Sequence, residues 1–348
     1  MRDVSSLFGI DVPVVLGPFG GLSSIALTAG VSKAGGLGSY GLYGYSAERI
    51  AQTLASLRAA TDRPIAVNLW LPTGDEVTPG AVDLTAARTA VAPLLAAAGA
   101  RQPDLPARFL PPLDEQLDAV WDAAPAVLSV VFGAPPVAVV DEAHRRGIRI
   151  VGTATSVAEA VALAEGGVDA IVASGAEAAG HRVTFLGRPE DSLIGTFALV
   201  PQVVDAVDVP VIAAGGIADR RGVAAAFALG ASGVQVGTAF LRTRQSAASA
   251  AHRAALARVG ATGTVLTRAM SGRLARGILN RAVREIEASG AIAPFPAQNW
   301  LTGVFRAAAA GDPELSSLWA GQAAPLAPRD DADAVLAELI AGLPGDLA

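Results

Sequence analysis

The chain of 348 residues contains no cysteine, and basic residues are scarcer than acidic ones. The missing cysteine excludes a disulfide scaffold and fits a reducing cytoplasm, where we expect the protein. The 26 Lys and Arg against 32 Asp and Glu give a formal net charge of −6. This balance offers no basic surface for nucleic acid or for an anionic membrane.

Long uninterrupted apolar runs are also missing, although the mean hydropathy is +0.45. Three uncharged stretches, at residues 12–32, 123–140 and 222–241, are each divided by Gly or Pro into a strand-sized and a helix-sized run. The first residues contain no apolar segment of a secretory signal. We therefore expect buried α/β elements rather than membrane spans.

Short apolar runs rich in Val and Ile recur, and most are followed by a Gly-containing turn and an amphipathic stretch. Continuous apolar strands are typical of a parallel sheet covered on both faces. Eight βα units predict an α/β fold of the closed (β/α)8 TIM-barrel type, with a doubly wound open sheet as the alternative. The predicted strands are residues 12–16, 36–40, 65–71, 127–132, 148–153, 170–173, 209–214 and 233–236.

Two regions depart from this alternation. Residues 72–112 are rich in Gly and Pro around a helical patch, and they predict an insertion after strand 3 that partly lines the pocket. Beyond residue 260, helical patches at 274–289, 301–310 and 332–341 predict a C-terminal helical extension. We expect a barrel over residues 1–260, with the extension of residues 261–348 packed on it.

The turns after the last two predicted strands are rich in glycine. In a parallel barrel these two loops commonly bind phosphate, because glycine lets backbone amides approach an anion. Each turn alone could simply require positive φ, but the pair favours a phosphate site. The residues concerned are Gly215 and Gly216 after strand 7, and Gln235, Val236, Gly237 and Thr238 at the end of strand 8.

His181 lies just beyond the predicted sixth strand, at the barrel face where catalytic groups are found. Its imidazole can accept a proton from a carbon acid. The other histidines, His144 and His252, lie on predicted helices, where solvated or packing roles are expected. Glu177 could be a second acid or base, but an ion pair with Arg182 is the favoured interpretation.

Asn68 ends the third strand, and its amide suits the edge of a heteroaromatic cofactor, with a local turn before Pro72 as the alternative. Residues 36–41 match G-x-G-x-x-G, but they follow a helix and occupy a strand position, which argues against dinucleotide binding there. P-loop, zinc-binding and G-x-S-x-G motifs are missing from the sequence, and no bound metal is expected.

The chain resembles the nitronate monooxygenase (2-nitropropane dioxygenase-like) family of FMN-dependent TIM-barrel flavoproteins over most of its length. The matching segments are residues 17–21 (GPFGG), 34–38 (AGGLG), 67–69 (VNL), 175–182 (GAEAAGHR), 213–219 (AAGGIAD), 235–240 (QVGTAF), 271–273 (SGR) and 319–322 (WAGQ). The resemblance implies an FMN site that includes Asn68, Gly216 and residues 235–238, with His181 as the base.

The sequence departs from the family pattern in the loop before His181. Ser174 replaces the usual Gln and removes an amide contact to the cofactor, while Ala179 replaces a Gly and narrows the approach to it. The opening segment at residues 16–19 is altered as well. The complete set of residues expected around FMN is Gly17, Phe19, Asn68, Ser174, Ala179, Gly180, Gly215, Gly216, Gln235, Val236, Gly237 and Thr238.

The resemblance implies oxidation of alkyl nitronates or nitroalkanes with O2. His181 would take the α-proton of a nitroalkane or stabilise the charge of a nitronate. Related barrels suggest an alternative, an NAD(P)H-dependent FMN reductase of enoyl-thioesters or quinones. A flavin-free binding barrel is a second alternative, suggested by Ser174 and Ala179. The sequence leaves the physiological substrate and the oligomeric state open.

Overall fold

The computed structural model describes residues 3–345 and 347. Its strands form an eight-stranded parallel sheet, in the order β1-β9-β8-β6-β5-β4-β3-β2, and a three-stranded antiparallel sheet, β10-β11-β7. The strands are β1 Val14–Leu16, β2 Gly38–Gly41, β3 Ile65–Trp70, β4 Val127–Val131, β5 Arg149–Ala154, β6 Ala170–Ser174, β7 Gly180–His181, β8 Val211–Ala214, β9 Gly233–Val236, β10 Thr264–Thr267 and β11 Ala275–Ile278.

The parallel sheet closes on itself, which confirms the predicted TIM barrel. β1 pairs with β9 in the register Val14↔Val234, and a parallel bridge between Val15 and Leu37 joins β1 to the segment entering β2. Every residue of β1, β2, β4 and β8 is buried. This burial on both faces explains why the strands read as continuous apolar runs.

Helices surround the barrel and begin largely where polar side chains can cap them. Ser46 accepts a hydrogen bond from the Arg49 amide, and Asp219 accepts one from the Arg221 amide. The helices are α1 Val4–Phe8, α2 Ile25–Lys33, α3 Ala47–Ala60, α4 Thr85–Ala97, α5 Leu113–Ala123, α6 Val137–Arg145, α7 Val157–Glu165, α8 Thr196–Ala206, α9 Arg220–Ala228, α10 Thr238–Leu241, α11 Ala250–Arg258, α12 Arg281–Ser289, α13 Ala297–Ala308 and α14 Ala332–Ile340. In the described residues, no helix has both the length and the apolar character needed to cross a bilayer.

The insertion after β3 packs against the C-terminal extension. Helix α4 contributes Val91 and Leu94 to a buried cluster that also contains Ile286 of α12, and Leu301 and Phe305 of α13. The insertion and the extension therefore share an apolar core separate from that of the barrel. The apolar side chains of the insertion pack against the extension in this cluster.

The extension contains strands as well as helices. The helix predicted over residues 274–289 is wrong in its first part, because Ala275–Ile278 forms β11 and only Arg281–Ser289 is helical. β11 pairs with β10 on one edge and with β7 on the other, where Ala275 lies opposite His181. These long-range ladder bonds outweigh the helix-favouring Ala and Arg side chains, and Asn280 caps the helix that follows.

Candidate active site

A cavity of about 450 Å³ lies at the carboxyl ends of the barrel strands. This is the face on which TIM-barrel enzymes carry their chemistry. The structure brings nearly all of the residues predicted from the sequence to its wall. They are Gly17, Phe19, Asn68, Ser174, Ala179, Gly180, His181, Gly215, Gly216, Gln235, Gly237 and Thr238.

Val236 is the predicted site residue that does not line this cavity. Its side chain is fully buried in the barrel core, and its carbonyl accepts a hydrogen bond of 2.8 Å from the Gly17 amide. A Cβ atom at Gly17 would lie 3.0 Å from the Gly237 Cα atom. Val236 thus holds the β1 and β9 ends together, and the glycines permit their close approach.

The glycine turn after β8 exposes backbone donors to the cavity. Gly215 and Gly216 have φ angles of +96° and +74°, which disfavour side chains other than hydrogen. The amides of Gly216 and Gly237 find no hydrogen-bond acceptor among the described residues. Thr238 Oγ1 accepts from the Gly321 amide at 3.0 Å, which leaves its own hydrogen free to donate. These donors fit an anionic group such as a phosphate.

His181 is held by a hydrogen bond to the extension. Its Nε2 atom lies 2.8 Å from Ser271 Oγ, and Ser271 Oγ lies 3.1 Å from the Arg273 carbonyl oxygen. The carbonyl can only accept, so the serine hydroxyl donates to it and accepts from Nε2–H of the histidine. This arrangement leaves Nδ1 of His181 as the atom with a free lone pair.

Aromatic rings surround the imidazole of His181. The Trp70, Trp319 and Phe132 rings lie 4.8, 5.4 and 6.4 Å from it between centroids. Burial, together with the positive charges of Arg273 and Arg306, lowers the pKa of His181 to about 3. The imidazole is therefore neutral at physiological pH, and its Nδ1 atom keeps a lone pair.

Asn68 is buried below the cavity and is oriented by β4. Its Nδ2 atom donates to Ser129 Oγ at 2.8 Å and to the Ser129 carbonyl at 3.2 Å. The Asn68 amide group therefore donates across the sheet to β4. It does not form the local turn before Pro72 that was the alternative. The side chain is therefore fixed where it lines the cavity.

The loop that carries His181 is fixed by buried polar groups, but the predicted ion pair between Glu177 and Arg182 is wrong. Glu177 accepts hydrogen bonds from the Thr196 amide and hydroxyl at 3.0 and 2.9 Å. Arg182 instead donates to carbonyl oxygens, including that of Gly175 at 2.7 Å. Each side chain bonds to the backbone at the end of an element. Glu177 bonds to Thr196, the first residue of α8, and Arg182 bonds to Gly175, just after β6.

Glu159 of α7 anchors the chain that follows His181. Its side chain is fully buried, and it accepts from the amides of Phe185 and Leu186 at 2.6 and 3.2 Å. It also accepts from the Thr155 amide and hydroxyl, both at 2.7 Å. One carboxylate thereby joins the β5 end to the loop beyond β7.

The two other histidines, His144 and His252, do not line the cavity, as the sequence predicted. His144 Nε2 lies 2.9 Å from Asp169 Oδ2 near the surface. His252 is buried, and its Nε2 lies 3.0 Å from the Trp319 carbonyl oxygen. Within the described part of the chain, no cluster of three or more His, Cys, Asp or Glu side chains could hold a metal ion.

The sequence prediction missed a polar group on the extension side of the cavity. Tyr43, Asn299 and Arg306 all line the wall, whereas residues 72–112, which were expected there, do not. Asn299 and Arg306 both belong to α13 and are seven residues apart, a spacing that places two side chains on the same helix face. The seven-residue spacing in the sequence could have identified Asn299 and Arg306 as neighbours on one helix face.

Comparisons with known proteins agree on one family. The nitronate monooxygenase family model matches residues 2–343. A probable nitronate monooxygenase of Staphylococcus aureus (strain JH9) is 38% identical over 347 residues, which cover 97% of this chain and 96% of that protein. The nitroalkane oxidase of Streptomyces ansochromogenes superposes with a TM-score of 0.86 at 35% identity, over 97% of this chain and 96% of its own.

A second solved structure is similar at lower identity. FabK from Thermotoga maritima superposes with a TM-score of 0.76 at 28% identity, over 97% of this chain and 95% of its own. The family match and the similarity to the Staphylococcus protein both extend over nearly the whole chain. The protein is therefore a member of the nitronate monooxygenase family and an oxidoreductase.

Proposed function

We propose that the protein binds FMN in this cavity and oxidises alkyl nitronates or nitroalkanes with O2. The observation that carries the proposal is that the neutral His181 imidazole and the glycine turns after β8 and β9 line the same cavity. The nitroalkane oxidase activity named for the Streptomyces structure supports the same substrate class. Bound FMN would supply the oxidation and the transfer of electrons to O2.

The barrel side of the cavity fits the cofactor. The amides of Gly216 and Gly237 and the hydroxyl of Thr238 would bind its phosphate. Asn68, fixed by Ser129, would present its amide oxygen to the edge of the flavin ring. Ser174 and Ala179 also line the wall, so the two departures from the family pattern lie in the cavity itself.

His181 would act as the base towards a neutral nitroalkane. The free lone pair on Nδ1 would take the α-proton, while Nε2–H remains bonded to Ser271. A nitronate has already lost that proton, so His181 would then only help to orient it. The rings of Trp70 and Trp319 pack beside the imidazole.

Anaerobic mixing of the purified flavoprotein with propyl nitronate, and separately with NADH, tests the proposal. We expect propyl nitronate to bleach the flavin absorbance, and the color to return with O2. Bleaching by NADH but not by propyl nitronate would instead identify a reductase, and a protein that holds no flavin after added FMN would be a binding barrel. The variant His181→Asn should retain FMN and lose activity on neutral nitroalkanes.

A further inference from the structure

Arg306 carries a positive charge that no carboxylate neutralises. Throughout the described chain, no carboxylate oxygen lies within 4.0 Å of its guanidinium nitrogens. Burial lowers the pKa of Arg306 to about 10, which still leaves the group charged at neutral pH. Its Nε atom is buried without a hydrogen-bond partner. A partly buried cation without a counter-charge is costly, and a bound anion would offset that cost.

The neighbouring Arg273 has the carboxylate partners that Arg306 lacks. It forms salt bridges of 2.8 Å to Asp75 and 2.7 Å to Glu76, and it lies between the rings of Phe132 and Phe295. Arg273 does not line the cavity, whereas Arg306 does. The uncompensated charge therefore faces the space in which a substrate would bind.

Arg306 is held in place by neutral oxygen atoms only. Its Nη2 atom donates to the carbonyl and side-chain oxygens of Asn299 at 2.9 and 2.8 Å, and Nη1 donates to Ser317 Oγ at 3.2 Å. These bonds orient the guanidinium without cancelling its charge. The planar group keeps further N–H donors for a ligand.

Tyr43 adds a neutral donor beside this guanidinium. Asn299 Nδ2 donates to the Tyr43 hydroxyl oxygen at 3.1 Å, so the hydroxyl hydrogen is not needed for that contact. Burial raises the pKa of Tyr43 to about 12, and the phenol therefore stays protonated. Arg306 of the extension and Tyr43 of the barrel together form a donor pair on the cavity wall.

We propose that Arg306, oriented by Asn299, binds the negatively charged oxygen atoms of the nitronate group and makes the cavity selective for monoanionic substrates over neutral ones. The proposal rests on the proposed function for the identity of the anion. A neutral nitroalkane has no net charge to pair with the guanidinium, so it gains less from this residue. Arg306 is thus a specificity-determining residue, distinct from the base.

Steady-state kinetics with propyl nitronate and with freshly dissolved 1-nitropropane test this selectivity. A charged hydrogen bond corresponds to an effect of about 10- to 100-fold, so Arg306→Met should raise the KM for the nitronate by about that factor. The KM for neutral 1-nitropropane should change less than about threefold on the same reasoning, and Arg306→Lys should restore part of the loss. Arg258→Met, at an exposed arginine of α11, is the control.

A binding measurement separates this inference from the proposed function. Nitrate is a planar monoanion that is not turned over, and its binding to the flavin-loaded protein can be followed by calorimetry at constant ionic strength. We expect wild type and Arg258→Met to bind nitrate, and Arg306→Met to bind it at least about tenfold more weakly. If Arg306→Met fails to fold, Asn299→Ala should show a smaller loss in the same direction.

The outcomes are distinguishable. Nitrate binding that depends on Arg306, in a protein that turns over neither substrate, would support the anion site and refute the proposed function. Turnover of propyl nitronate with the same KM in wild type and Arg306→Met would overturn the anion site and leave the proposed function intact. Nitrate affinity unchanged by Arg306→Met, or no nitrate binding in wild type, would also overturn it.

Discussion

His181 Nε2 lies 2.8 Å from Ser271 Oγ, and this bond joins the loop after β6 to the C-terminal extension. Ser271 in turn bonds to the Arg273 carbonyl oxygen, which fixes the direction of its hydroxyl hydrogen. The serine therefore selects one tautomer of the histidine. The base of the proposed reaction is prepared by a residue that lies outside the barrel strands.

Replacing Ser271 with alanine should impair proton abstraction without removing the base. The loss of one hydrogen bond, worth about 1 kcal/mol, predicts a roughly fivefold decrease in kcat/KM for neutral 1-nitropropane. Nitrogen-15 chemical shifts of the imidazole should show a mixture of tautomers. Ser289→Ala is the matched control, since Ser289 also bonds to backbone groups of the extension but lies away from the cavity. Equal losses in both variants would contradict the tautomer argument.

His181 should make stability depend on pH in the acidic range. Its pKa is about 6.5 in the unfolded chain and about 3 in the folded protein, so the unfolded state binds the extra proton between these values. Folding stability at pH 5 should therefore be about 2 kcal/mol lower than above pH 7 from this group alone. The difference between wild type and His181→Asn in urea unfolding across this range isolates the effect. Parallel stability curves would show that the imidazole is not held neutral.

Gly216→Ala should weaken FMN retention beyond its effect on folding. The Gly216 φ angle of +74° disfavours alanine by about 1 kcal/mol, so the substitution would displace the backbone amide that we propose to bind the phosphate. The added Cβ atom would lie 3.8 Å from the Glu177 side chain. Gly290→Ala is the control, because φ is +64° there and open space surrounds the position at the end of α12. Both variants should lose similar thermal stability, but only Gly216→Ala should lose flavin absorbance on dialysis. Full retention by Gly216→Ala would argue against phosphate binding at this turn.

Glu159→Gln should destabilise the protein strongly. The buried carboxylate accepts four hydrogen bonds, and an amide group would direct its own hydrogens towards some of these donors. We expect a loss of about 2–4 kcal/mol in the free energy of unfolding, measured in urea. Glu165→Gln on the same helix should change it by less than about 0.5 kcal/mol, because that side chain is exposed. A similar small effect for both would show that the buried network is dispensable.

The barrel was predictable because its signals are local. Most strands are short and largely apolar runs, as in β4, where all five residues are buried. Helix α3 also begins at a local signal, because Ser46 accepts a hydrogen bond from the Arg49 amide and caps it. The glycine turn after β8 was also predicted from the sequence, and its positive φ angles are those that favour glycine. Helix α5 was not assigned, because the Pro-rich insertion directly precedes it.

The extension side of the site was harder to predict because it depends on distant contacts. Strand β11 was read as helix, since its Ala and Arg residues favour helix and its partners β7 and β10 lie elsewhere in the chain. Glu177 was paired with the nearby Arg182, but it bonds to Thr196, nineteen residues away. Arg306 was overlooked because nothing in its neighbourhood in the sequence indicates that its charge lacks a partner.

The pairing of β7 with β11 joins two parts of the chain that together form the cavity wall. Glycine turns of the barrel form one wall, and the other, with Asn299, Arg306 and Trp319, belongs to the extension. Changes confined to the extension would therefore alter the wall that carries Arg306, while the glycine turns proposed to bind the cofactor phosphate stay unchanged.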